Sequence, residues 1–112
     1  MERDEEAVGR IQALNDRLRC TGAGGTIVIT PGIIELGAGT TVRIIAAVAA
    51  FKDFTEDNDP HGEHDCASLT VDSVKLLWKI DYYDQNLKYH SPDAADPEVT
   101  RRVLTIMRAE EY

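Results

Sequence analysis

The chain has 112 residues, of which 43% are apolar and 29% charged. This excludes intrinsic disorder and fits one domain, spanning 1–112, with a core that needs neither metal nor disulfide staples. The net charge of −8 opposes binding to nucleic acid or anionic membrane, and no apolar run is long enough to span a bilayer.

In chain order, Asp4 to Arg19 reads as an amphipathic helix, with Val8, Ile11, Leu14 and Leu18 at helical spacing. Acids open it and Arg17 and Arg19 close it, as the helix dipole favours. Thr21-Gly22-Ala23-Gly24-Gly25 breaks it, and the β-branched run Thr26–Thr30 is a strand. Pro31-Gly32 turns the chain. Ile33 to Leu36 fits either a short strand or a helical turn. Thr40 or Thr41 caps a second helix running to about Lys52, with a face of Val42, Ile45, Val48 and Ala49 and with Ile44 and Phe51 beside them.

Asp53 to Asp65 shows no periodicity and reads as a polar loop. Two strands follow, Cys66–Val71 and Val74–Tyr83, joined at Asp72-Ser73. Pairing Val71 with Val74 sets Leu69 opposite Leu76 and Ala67 opposite Trp78, all on one face. A third strand is expected over Asn86 to His90, with Tyr82 opposite Leu87 and Tyr89 on the Trp78 face. Asp96-Pro97 combines a capping carboxylate with proline at a first helical position. It predicts a final helix to about Glu110 that buries Val99, Val103, Ile106 and Met107. The expected fold is α+β: an antiparallel sheet of three to four strands with about three helices packed on one face. Thr26–Thr30 would be the fourth strand, at an edge or beside the hairpin.

The charge is unevenly placed. Asp53 to Glu98 holds 12 acids and 3 lysines, so this segment carries −9 and the remainder +1. Such a surface attracts basic partners, although negative charge also simply maintains solubility. The acidic, polar Met1–Glu6 is unlike a secretion signal, so the expected location is the cytoplasm. There Cys20 and Cys66 stay free thiols.

Several stretches together resemble a bacterial family, Domain of Unknown Function 3768. They are Gly25–Thr30 with Gly32; Phe51, Phe54-Thr55 and Asp57-Asn58-Asp59-Pro60-His61-Gly62-Glu63-His64-Asp65; Trp78–Asp84; and Arg102–Met107 with Glu111-Tyr112. Cys66 departs from the pattern, where an aromatic residue is usual, which argues against a shared nucleophile there. The resemblance implies a small proteobacterial protein, often encoded on plasmids and integrated elements. Anti-CRISPR and anti-restriction proteins share that setting.

Asp57 to Asp65 is the densest polar segment. Imidazole and carboxylate at His61, Glu63 and His64 suit zinc or manganese, and hydrolysis there would use Glu63 or Asp65 as general base. The alternative is a structured loop in which Asn and Asp side chains cap backbone amides and Pro60 and Gly62 set the turns. Gly22-Ala23-Gly24-Gly25 only faintly resembles a phosphate loop, since it precedes a strand instead of following one. The leading expectation is a non-enzymatic protein without a cofactor. It would bind a protein partner with a basic surface, and no direct nucleic acid or membrane, through Asp53, Glu56, Asp57, Asp59, Glu63 and Asp65, with Tyr83 and Asp84 nearby.

Overall fold

The computed structural model describes residues 4–112; Met1–Arg3 of the acidic N-terminal stretch lie outside the described residues. Helix α1 spans Glu5–Thr21. Asp4 caps it by accepting the Glu6 amide at 3.0 Å. Gly22 ends it in the left-handed conformation, φ +80°, with its amide on the Leu18 carbonyl. The buried side of α1 carries Ile11, Asn15, Leu18 and Arg19, so two of its four inward residues are polar.

Strand β1 (Thr26–Ile29) leads into a one-turn helix α2 (Pro31–Ile34), which resolves the ambiguous stretch as helical and buries Ile33. Helix α3 runs Ala38–Ala50. It starts ahead of the expected threonine caps, behind Gly37 at φ +97°. The Thr41 hydroxyl donates back to the Gly37 carbonyl at 2.9 Å instead of capping. The inward face is Ile44 and Val48, while Val42 and Ile45 are exposed.

Strands β2 (Cys66–Val71) and β3 (Val74–Tyr83) form the expected hairpin in the expected register, Val71 with Val74, Leu69 with Leu76 and Ala67 with Trp78. Asp72 and Ser73 both take positive φ, at 51° and 67°, as the favoured two-residue hairpin turn requires.

Two expectations are overturned beyond this hairpin. Asn86 to His90 is a loop, touching the sheet through one isolated bridge between Tyr83 and His90. The Asp84 carboxylate accepts the Asn86 and Lys88 amides at 3.1 and 3.0 Å, which curls the chain before a strand can extend. Tyr89 is therefore exposed and not on the Trp78 face. The expected final helix is also absent. Asp96 accepts the Glu98 amide at 2.9 Å, but the cap opens only a turn. The chain then extends as β4 (Arg101–Arg108), followed by a 3-10 turn at Ala109–Glu111. Val103, Thr105 and Ile106 suit a pleated strand, and burial alternates through Arg102, Leu104 and Ile106.

The sheet order is β1-β4-β3-β2, with β4 antiparallel to β3 and parallel to β1. The fold is α+β with a four-stranded sheet. Its core joins Leu18, Ile33, Ile44 and Val48 from the helices to Leu76, Trp78, Ile80, Leu104 and Ile106 at alternate strand positions. Fully burying side chains of this size contributes about 1.5–3 kcal/mol each.

Candidate functional site

The acidic segment after α3 is folded on itself by its own side chains. Asn58 Oδ1 accepts the Thr55 amide at 2.8 Å, the Thr55 hydroxyl accepts the Asn58 amide at 3.2 Å, and Asn58 Nδ2 donates to the Asp53 carbonyl at 2.8 Å. The Asp59 carboxylate accepts the His64 amide, closing a second turn. Gly62 and His64 take positive φ, 69° and 55°. Rings anchor this loop to the core. His64 stacks on Phe54 at 3.8 Å and 6°, and Phe54 meets Phe51 and Trp78 edge-on at 5.0 and 6.1 Å.

Helix α1 holds the other side. Gln12 Nε2 donates to the Gly62 carbonyl, and His64 Nδ1 donates to Asp16 Oδ1, both at 2.9 Å. Asn15, fully buried, donates Nδ2 to the Glu63 carbonyl at 3.0 Å and to the Tyr82 hydroxyl at 2.8 Å. The Tyr82 hydroxyl donates to Glu63 Oε1 at 2.7 Å. Arg102 completes the network: Nε donates to Asn15 Oδ1 at 2.9 Å, the terminal nitrogen reaches the Ala94 carbonyl, and the guanidinium covers the Tyr82 ring at 5.2 Å. One buried cluster thus ties helix, loop and both central strands together. Burial, then donation to Glu63, pushes the Tyr82 phenol well above its ordinary range. Burial pulls the Arg102 guanidinium down, opposed by Tyr82 and Glu63.

Arg19 performs a second junction. Its NH1 donates to the Val48, Ala49 and Phe51 carbonyls at 2.8–2.9 Å, which caps the C-terminal end of α3, and NH2 pairs with Asp16 at 3.0 Å. The guanidinium lies 5.4 Å from both the Phe54 and Trp78 ring centres. Among the described residues, Arg19 Nε and Trp78 Nε1 are buried without a hydrogen-bond partner.

The expected binding residues divide by placement. Asp53, Glu56 and Asp57 are exposed, and Asp59 and Glu63 are buried. Asp65, Tyr83 and Asp84 are half-buried. Burial raises the Asp65 carboxyl above its ordinary range, followed by repulsion from Glu63; Asp59 adds to this and His61 compensates in part. Of the metal candidates, His61 is exposed, Glu63 accepts from Tyr82, and His64 is committed to Asp16. Among the described residues, no group of three or more His, Cys, Asp or Glu side chains is arranged to hold a metal ion. Burial, followed by repulsion from Asp65, raises the Cys66 thiol, which disfavours its nucleophilic form.

Sequence reasoning missed Asn15, Asp16, Arg19 and Arg102 as parts of this assembly. The available signal was position: Asn15 and Arg19 lie four and eight residues after Ile11, on the buried face of α1.

A model of the family described as "Protein of unknown function (DUF3768)" matches residues 29–111. No curated protein and no solved structure matches the chain.

Proposed function

The chain belongs to the DUF3768 family, and we propose that it is a small non-enzymatic binding protein that engages a basic surface on a protein partner. The concrete form is an inhibitor or regulator of a nucleic-acid-handling complex, of the anti-CRISPR or anti-restriction kind. The mobile-element setting that the resemblance implies motivates this form. The carrying observation is the presentation of Asp53, Glu56 and Asp57. All three are exposed on the loop closed by Thr55 and Asn58. None joins an ion pair among the described residues. Charges held in place but uncompensated raise association rates, and a loop ordered in advance loses less entropy on binding. In this reading Asp59 and Glu63 shape the surface from beneath.

The test uses paired baits in a nuclease-treated bacterial lysate: wild type and Asp53→Asn/Glu56→Gln/Asp57→Asn. The proposal expects wild type alone to retain a nucleic-acid-handling complex, with retention falling steeply as salt is raised. Equal capture by both baits, or capture insensitive to salt, refutes it.

A further inference from the structure

The sheet has two outer strands, β1 and β2, and they differ in how their free edges are guarded. β1 is four residues long and is closed off by Pro31 at the start of α2. β2 runs in unbroken register with β3 over all six of its residues, Cys66–Val71, with no bulge, no proline and no charged side chain. Shortness, prolines, lysines and bulges are the usual means of keeping a sheet edge from pairing with another chain.

The register fixes which backbone groups β2 turns outward. The Ile80 amide donates to the Asp65 carbonyl at 2.7 Å. The hydrogen-bonded pairs of this antiparallel ladder are therefore Ala67 with Trp78, Leu69 with Leu76, and Val71 with Val74 beside the two-residue turn. The amides and carbonyls of Cys66, Ser68 and Thr70 point away from β3, and among the described residues no other backbone group bonds to them. The side chains of Ser68 and Thr70 are exposed, on the face opposite Ala67 and Leu69. Helix α3 lies over β2, while α1 lies against β4. α3 holds no acid, and its one charge, Arg43, pairs with Asp72 at 2.7 Å. It leaves Val42 65% and Ile45 38% exposed, although a helix so apolar is ordinarily covered.

Charge and symmetry select the occupant. On a chain of net charge −8, a like copy approaches best where free acids are absent, and β2 with α3 forms such a border. The strand is also complementary to itself. Antiparallel pairing about a two-fold axis at Ser68 sets Ser68 opposite its own counterpart and Cys66 opposite Thr70. Three hydrogen-bonded pairs of two bonds each then satisfy every outward amide and carbonyl of both copies. On the helix side Ala67 meets Leu69, so every facing pair is uncharged. We infer that this chain forms a two-fold dimer through β2, which joins the two four-stranded sheets into one and brings the α3 helices to the same face on either side of the axis. The inference is separate from the binding reading above and does not use the acidic turn. The border is about 20 Å long, six residues at about 3.3 Å each. That places it at the small end of specific interfaces, about 600 Å² per copy, with a dissociation constant in the micromolar range.

Sedimentation velocity on wild type from about 1 μM to about 1 mM should show a monomer–dimer equilibrium. It should strengthen as salt is raised, because screening relieves repulsion between the two acidic chains. Ser68→Lys sets two ammonium groups face to face at the axis and should weaken the dimer about 5-fold or more. The Ser68 side chain is exposed and its amide does not bond to β3, so this variant keeps the monomer fold. A second measurement reads the register. In a Cys20→Ser/Cys66→Ser background, Ser68→Cys should form an intermolecular disulfide on mild oxidation, since its Cα lies about 5.5 Å from its counterpart. Thr70→Cys in the same background should not, being four strand positions, about 13 Å, from its counterpart. Wild type that sediments as a monomer throughout the range overturns the inference. So does a dimer indifferent to Ser68→Lys, or equal cross-linking of the two cysteine variants. A monomer whose Ser68 and Thr70 amides become protected from hydrogen exchange only in a complex captured from lysate assigns the edge to a strand of another protein, and overturns the inference as well.

Discussion

Tyr82→Phe isolates the central polar network with almost no change of volume. The ring keeps its place under Arg102 and near His90, whose ring centre is 6.2 Å away. What is lost is one hydroxyl that donates to Glu63 Oε1 at 2.7 Å and accepts from Asn15 Nδ2 at 2.8 Å. A hydrogen bond to a charged acceptor contributes about 1.5–3 kcal/mol. Tyr82 is half-buried, so water can partly replace the donor, which places the expected loss near the lower end, about 1.5–2 kcal/mol. For a domain of this size that lowers Tm by roughly 6–8 °C. Urea denaturation of wild type, Tyr82→Phe, Glu63→Gln and the double variant gives the coupling between the two side chains, expected at about 1 kcal/mol. Alkaline pH adds an independent readout. A phenol raised above its ordinary 10.0 stays protonated longer in the folded state than in the unfolded state. Its contribution is complete below about pH 10 and is lost as pH rises further. Tyr82→Phe should lose less stability on that alkaline limb than wild type. A variant within 0.5 kcal/mol of wild type (the usual scatter of neutral surface changes is about that size), or a coupling near zero, refutes the network as a source of stability.

Arg19→Lys keeps the charge but not the fork that spans three carbonyls and Asp16. It should cost about 3 kcal/mol in urea denaturation, and a loss under about 1 kcal/mol would contradict the junction described for Arg19. Asp65→Asn should leave the protein more stable at neutral pH. The folded carboxyl is raised above 3.8, so stability falls as pH climbs through the window above that value, and the asparagine variant lacks this limb. Its advantage should vanish below that window; a variant less stable than wild type at pH 7 would reverse the argument. Gly25→Ala would place a Cβ 2.5 Å from the Arg102 carbonyl and 2.9 Å from Leu18 Cδ2, where α1, β1 and β4 meet. A loss of about 1–3 kcal/mol in thermal or chemical unfolding is expected, and an unchanged midpoint would show that this junction yields easily.

Local patterns were legible wherever near neighbours decide structure. The α1 boundaries follow from Asp4 and Gly22, and the β2–β3 register follows from alternation about a two-residue turn. The loop character of Asp53 to Asp65 was legible as well, because Thr55, Asn58 and Asp59 bond within five residues of themselves. Even so, the segment's composition did not distinguish its outward acids from Asp59 and Glu63. Both kinds are carboxylates in one polar run; Glu63 turns inward to the Tyr82 hydroxyl of β3, while Asp59 folds back onto the His64 amide.

Arg101–Arg108 was beyond local reasoning. Asp96-Pro97 is a true cap signal and does start a turn, but a helix there would strand two sheet edges. As β4 the same residues bond to β3 on one side and β1 on the other. That gain depends on segments far off in sequence and outweighs the local preference. The buried network has the same origin: Asn15 meets Glu63, Tyr82 and Arg102 across 48, 67 and 87 residues. The sequence by itself determined the helices α1 and α3, the hairpin and the α+β class, because capping, periodicity and turn chemistry act over a few residues. Tertiary structure alone decided the parallel β1–β4 pair, the strand in place of a helix, and which acids face solvent, because backbone pairing and desolvation depend on what the folded chain brings alongside.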